Sequence, residues 1–198
     1  MKLAFCVEDD TDEEIAAKLL GRLLSSGVEA SREQYRFPRG GWANALKLAP
    51  IVARAAFNSG LDGAVFVVDN DGASPHLTEH GRAPDPDCRL CGLRAAAQVE
   101  EVLGWSRPAL PPLRFLFAVP VQTIETWLLL IKGHAFNGTE DALGAEAAGR
   151  RTLKRLLYAS EDPDRARIRA VALPLLDRLV PADLQAKSES FRQLVSQL

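Results

Sequence analysis

Ala64-Val65-Phe66-Val67-Val68-Asp69-Asn70-Asp71-Gly72 drives five apolar, mostly β-favouring residues straight into two carboxylates. The run lies between Gly63 and Gly72 and shows no alternation, which predicts a central strand of a parallel sheet covered by helices on both faces. Ligands of open α/β sheets sit at the carboxyl ends of the strands, so Asp69 and Asp71 stand where chemistry is expected. If the strand continues through them, both side chains leave one face and Asn70 points away. Two acids so close repel each other, and a bound divalent cation turns that repulsion into attraction. Asp-Asn-Asp-Gly also suits a polar turn after a strand, and both readings stand at this point.

Leu3-Ala4-Phe5-Cys6-Val7 repeats the pattern, ending in Glu8 and followed by Asp9, Asp10 and Thr11-Asp12-Glu13-Glu14. Thr11 as N-cap and Glu14 at N3 read as a capping box, with the acids of the first turn facing the positive end of the helix dipole. The helix so started carries an apolar stripe of Ile15, Leu19 and Leu23 and ends at Ser25-Ser26-Gly27. Capping explains Glu13 and Glu14 and leaves Glu8 over. Val28 to Phe37 reads as a strand nearer the sheet edge. Pro38-Arg39-Gly40-Gly41-Trp42 is either a plain turn or a cradle where amides and Arg39 hold a phosphate. The next helix is expected to kink or restart at Pro50 and to stop at Asn58-Ser59-Gly60.

Residues 73–91 form a long loop rich in proline that gathers His76-Leu77-Thr78-Glu79-His80 and Cys88-Arg89-Leu90-Cys91. The pairs His-x3-His and Cys-x2-Cys fit the ligand spacings of a structural zinc site at His76, His80, Cys88 and Cys91, while Cys88 to Cys91 also reads as the opening of the next helix. Leu93 to Leu103 is helical, and Leu113 to Val119 is a third apolar strand ending at Pro120. Val121 to Leu130 is predicted as a buried helix whose single charge, Glu125, must be paired, exposed at an edge or coordinated to a metal. From Gly133 on the pattern is helical throughout. Arg150 with Lys154 and Arg151 with Arg155 line one face of a helix there, a solvated face or a phosphate-holding one.

The fold class is therefore α/β, a mainly parallel sheet with helices on both faces. Residues 1–132 form the core, with the loop insertion at 73–91, and 133–198 form a helical extension packed on it. Hydrophobic residues at 47% and charged residues at 25% place the chain among ordinary globular proteins. A net charge of −2 excludes a generally basic protein that coats nucleic acid, so any such contact needs a local patch. Three cysteines argue against a secreted disulfide framework. No run is long enough for a membrane span, and Met1-Lys2-Leu3 leads directly into a strand rather than a signal peptide, so a cytoplasmic location is expected. A nucleotide-binding domain is disfavoured, since neither a Gly-x-Gly-x-x-Gly nor a P-loop pattern is present.

Glu8 with Asp12 four positions on, Asp69-x-Asp71 and Glu125, each after a strand, resemble the acidic set of a Toprim domain. The Glu-x3-Asp arrangement is more similar to the Toprim domains of overcoming-lysogenization-defect nucleases than to those of topoisomerases or primases. More narrowly, Val7-Glu8 with Thr11-Asp12, Val119-Pro120-Val121-Gln122 leading to Glu125-Thr126-Trp127-Leu128-Leu129, and Ser188-Glu189-Ser190-Phe191-Arg192 are similar to a family of small stand-alone Toprim-like bacterial proteins, from end to end. Asp9 departs from that pattern, which has glycine there. The resemblance implies a Rossmann-like Toprim fold and a nuclease that hydrolyses phosphodiesters of DNA or RNA with Mg2+ or Mn2+, as the effector of a defence or repair system. Glu8, Asp12, Asp69 and Asp71 would be the oxygen ligands, and Glu125 a further ligand or positioning group. A positive group near the scissile phosphate would come from Lys187 or the Arg150 to Arg155 face. The alternative is a non-catalytic metal-binding module that regulates an ABC-type ATPase partner.

Overall fold

The computed structural model describes residues 1–25, 27–31, 35–36, 41–71, 73, 76, 87–107, 110–136 and 141–198, with Glu100 and residues 141–148 described by their backbone alone. The three apolar runs become the three long strands of one parallel sheet: β1 (Lys2–Val7), β4 (Gly63–Val67) and β5 (Arg114–Ala118). β4 lies between the other two, with Phe5 opposite Val65 and Val65 opposite Leu116. The segment expected as one edge strand supplies two short ones, β2 (Glu29–Ala30) and β3 (Tyr35–Arg36), both parallel to β1 on its outer side. The order is β2-β1-β4-β5, with β3 also on β1, an architecture of the Rossmann-like α/β class.

Alternation along the strands sorts the core into two layers. Leu3, Phe5, Val7, Val65, Val67 and Leu116 face α1 (Asp10–Leu24) and the helices of the C-terminal third. Ala4, Cys6, Ala64, Phe66, Phe115 and Phe117 face α2 (Gly41–Asn58), α3 (Arg89–Ala96) and α4 (Val99–Leu103). Both faces of the sheet are buried, which is why the strands read as continuous apolar runs. Gly63 is required at the first β4–β5 pair, because a Cβ there would lie 2.0 Å from the Arg114 carbonyl oxygen.

The expected helix Leu93 to Leu103 begins earlier and is split into α3 and α4 at Gln98, whose φ is 52°, and three other helices differ from the expectation for local reasons. α1 begins two residues early: Asp9 is its N-cap, and its carboxylate accepts from the Thr11 and Asp12 amides at 2.7 and 3.1 Å and from the Thr11 hydroxyl at 2.6 Å. Glu14, freed from a capping box, pairs with Arg169 at 2.6 Å. α2 runs through Pro50 unbroken. The proline forfeits one helical bond, but fully buried Ala45, Ala49, Val52, Ala53 and Ala56 hold the helix against the sheet. α5 (Glu125–Ile131) starts later than expected, since Val121 to Thr123 form a buried turn that pairs with the chain after β4. There the Asn70 amide donates to the Pro120 carbonyl at 3.2 Å and the Asp71 amide to that of Gln122 at 3.3 Å.

The C-terminal third comprises α6 (Asp141–Tyr158), α7 (Arg165–Asp177), α8 (Pro181–Lys187) and α9 (Glu189–Val195). Within α6 the backbone turns sharply at Gly149, whose φ of 68° and ψ of 156° suit only glycine. The two most distinctive sequence motifs meet in space. The Trp127 indole donates to the Ser190 hydroxyl at 3.0 Å and meets the Phe191 ring edge-on at 5.4 Å, while Ser188 caps α9 by accepting the Phe191 amide. Gln197 closes the far side of the sheet: its carboxamide oxygen accepts the Phe117 amide at 2.8 Å and its nitrogen donates to the Phe117 carbonyl at 3.2 Å.

Candidate functional site

At the carboxyl ends of the strands, a cleft of about 220 Å³ is lined by Glu8, Asp9, Asp12, Asp69 and Glu125, with Thr11, Arg150, Lys154 and Tyr158. Each acid arrives on a different support. Glu8 follows β1, Asp12 lies in the first turn of α1, Asp69 stands two residues past β4, and Glu125 is the first residue of α5. Ile15, Ile124 and Ile168 supply apolar wall. The Trp127–Ser190 contact behind α5 fixes the helix that carries Glu125, and Glu125 itself is buried at 5% exposure. The cations come from beyond the Gly149 turn. The Arg150 guanidinium lies 3.2 Å from Glu8 Oε2 and 3.7 Å from Asp69 Oδ2.

Negative charge is in excess: five carboxylates face two cationic side chains. Burial and the neighbouring charges of Asp9, Glu125 and Glu8 push the Asp12 carboxyl up to about 7. Burial, then the charges of Glu125 and Asp12, raise Asp69 well above the carboxylate range, against the opposing pull of Arg150. Asp9 differs: burial pushes it up, but the Thr11 hydroxyl and two amides hold it below its usual value. The Tyr158 hydroxyl is buried beside Glu125 and makes no well-formed hydrogen bond among the described residues. Desolvation, with Glu125 and Asp12 nearby, raises it further, so it stays a proton donor aimed into an acidic cleft. The cleft thus gathers carboxylate oxygens, the donor type that hard cations prefer, and Arg150 already pairs with two of the acids.

Four of the expected acids, Glu8, Asp12, Asp69 and Glu125, thus share one cleft. Asp71 does not line it. β4 stops at Val67, Asp71 has a left-handed φ of 43°, and its side chain turns toward Arg89 at 3.4 Å, so the same-face geometry of a continued strand is lost. It still adds charge felt by Asp69 and Arg150. Asn70, expected to point away, is buried and builds the turn, donating to the Ala73 carbonyl at 2.6 Å. Lys187 is an exposed residue at the end of α8 and is not among the residues lining the cleft. Arg150 and Lys154 supply the positive charge, and Arg151 and Arg155 of the same run lie on the exposed side. Tyr158 is a cleft residue that the sequence does not reveal, since it lies in a run with no motif, whereas Asp9, expected as added charge near the site, both lines the cleft and caps α1.

A second cluster lies on the other side of the β4 end. His76 Nδ1 is 3.4 Å from the Cys88 sulfur and 3.5 Å from that of Cys91, and the three ligand atoms all lie within 4.8 Å of one another. This group could hold a metal such as zinc. Cys88 is buried at the N-cap of α3 and Cys91 sits in its first turn, so opening the helix and presenting both thiols are one arrangement. Burial pushes the Cys88 thiol up to about 11. His80 and the phosphate-cradle residues Arg39 and Gly40 lie outside the described residues.

No helix among the described residues is long and apolar enough to cross a membrane. Comparison of the chain with models of protein families, with curated proteins and with solved structures finds no match.

Proposed function

We propose that the acidic cleft binds Mg2+ or Mn2+ and that the protein is a nuclease of the Toprim type, cleaving phosphodiesters of DNA or RNA. The observation that carries the reading is the meeting of Glu8, Asp12, Asp69 and Glu125, from three separate stretches of chain, opposite Arg150 and Lys154. The donor set suits these ions: all-oxygen, rich in carboxylates and partly open to solvent, with Asp69 18% and Glu8 37% exposed. Glu8, Asp12, Asp69 and Glu125 would hold the metal. When bound, it would polarise the phosphate and lower the pKa of the attacking water.

The chain's own groups supply the rest. Arg150 and Lys154 hold the phosphate diester against the acidic wall by charge, and the guanidinium stabilises the extra negative charge on the phosphate oxygens. Tyr158, kept protonated, donates a hydrogen bond from the cleft floor. Ile15, Ile124 and Ile168 keep bulk water from one side. In the effector of a defence or repair system, this cleft would be the cutting centre.

Cleavage of single- and double-stranded DNA and RNA with Mn2+ tests the reading. The wild type should cut at least one substrate, and Asp69→Asn should cut roughly 100-fold or more slowly, as expected when a ligand to a catalytic metal is lost. Wild-type protein that cuts none of the four, in Mg2+ or Mn2+, removes the enzyme reading. The alternative, a metal-binding module that regulates an ABC-type ATPase, draws on the Arg150 pairs, which already neutralise part of the cleft. It predicts that Arg150→Gln changes metal binding while no substrate is cut by either protein.

A further inference from the structure

We propose that His76, Cys88 and Cys91 hold a structural Zn2+ ion that clasps the chain after β4 to the start of α3. A tetrahedral zinc with Zn–S about 2.3 Å and Zn–N about 2.0 Å has N···S edges of about 3.5 Å. The two edges here are 3.4 and 3.5 Å, both from Nδ1 of one imidazole. One imidazole nitrogen at nearly equal distances from two sulfurs is the arrangement that a single ion between the three atoms would produce. Soft sulfur donors with an imidazole select zinc over the hard cations of the acidic cleft.

The surrounding contacts give the ion something to fasten. Between Asp69 and Asp87 the sequence contains one large apolar residue, Leu77, so this stretch has little core of its own. His76 is anchored at its carbonyl, which accepts from Gln193 Nε2 of α9 at 2.6 Å. Arg89, between the two cysteines, donates to the Asp69 carbonyl, faces Asp71 and lies over the Trp42 ring at 5.5 Å. Next to it, Gly92 lets α3 close on Trp42, whose ring atoms would be 2.9 Å from a Cβ. A zinc ion at the three ligands therefore joins α9, α3 and the end of β4 at one point. It is a site separate from the acidic cleft, and its test does not use cleavage.

Protein purified in reducing buffer without added metal should carry about one zinc per chain, as structural zinc does. Cys88→Ser and Cys91→Ser should each lose it, and Asp69→Asn should keep it. Cobalt exchanged into the wild type should show the visible absorption of a tetrahedral thiolate site, and Cys91→Ser should not. With Mg2+ in excess throughout, removing zinc by chelation should lower the melting temperature of the wild type, and zinc should restore it. If buried Cys88→Ser fails to fold, Cys91→Ser and the cobalt spectrum carry the decision. Wild-type protein that neither contains zinc nor takes it up overturns the proposal. So does zinc that survives both cysteine substitutions, or zinc that leaves with Asp69→Asn, which would place it in the acidic cleft.

Discussion

The two clusters beside the end of β4 are built on opposite plans. The acidic cleft collects hard oxygen donors from three distant stretches of chain, Glu8 to Asp12, Asp69 and Glu125, and pairs them with Arg150, 142 residues on from Glu8. The sulfur–nitrogen cluster collects soft donors from one stretch, with His76 and Cys91 15 residues apart. The first is partly open to solvent, and its five carboxyl groups outnumber its two cationic side chains. The second places a buried thiol at a helix start, where an ion would stay put. A site made by the whole fold can serve chemistry, and a site made by one loop can hold that loop.

The largest separation between them should appear in metal response. In chelator, Asp69→Asn should melt at or above the wild type, because it removes a carboxyl group whose ionised form is disfavoured by burial, Glu125 and Asp12. With Mn2+ near 100 times its dissociation constant, the wild type should gain about 2.7 kcal/mol and the variant far less. Asp71→Asn sharpens the point. Its side chain is 41% exposed and its left-handed backbone accepts asparagine, so stability should change by about 0.5 kcal/mol or less, with most of the metal response kept. Melting curves of the three proteins with and without Mn2+ check both statements, and equal Mn2+ responses in all three would sink the metal-site reading.

A smaller effect concerns protons. Asp12 is raised to about 7 in the native protein, so between about pH 4 and 7 the folded state binds the extra proton. The stability this confers is complete below the unfolded pKa and is lost as pH rises through the folded one. Metal-free protein should therefore weaken across that window by an amount on the order of a few kcal/mol, and Asp12→Asn should flatten the slope. Denaturant titrations at several pH values in chelator measure it. A wild-type slope of opposite sign would show that Asp12 is not held protonated.

The smallest effect is expected at Lys187. Exposed and away from the cleft lining, Lys187→Ala should leave melting temperature and Mn2+ response unchanged within error, and any cleavage within about twofold. A large loss of cleavage would restore it to the site.

Strand-end placement made Glu8 and Asp69 legible in the sequence, because buried parallel strands announce themselves as apolar runs and their carboxyl ends share one edge. Glu125 was legible as a lone acid in an apolar segment. Cys88, Cys91 and His76 were legible because their spacing is local. Asp71 was misplaced because one left-handed residue ends the two-residue period on which the same-face argument rests. Asp9 was legible as added charge where the resembled pattern has glycine, but its capping of α1 shows only in its hydrogen bonds. Arg150 and Lys154 were visible as a basic face, but which way that face turns depends on Gly149, a long-range packing decision that periodicity does not contain.

Gln197 has a consequence for how the molecule meets copies of itself. The outer edge of β5 is where a foreign strand could add, since an exposed ladder of amides and carbonyls will pair with any extended chain. The Gln197 carboxamide takes both backbone groups of Phe117, as an adjoining strand residue would, and Arg114 at the start of β5 reaches the Leu198 carbonyl at 3.4 Å. One polar side chain thus acts as a stopper on a sticky edge. Gln197→Ala would remove both of these bonds and leave the backbone groups of Phe117 without that cover.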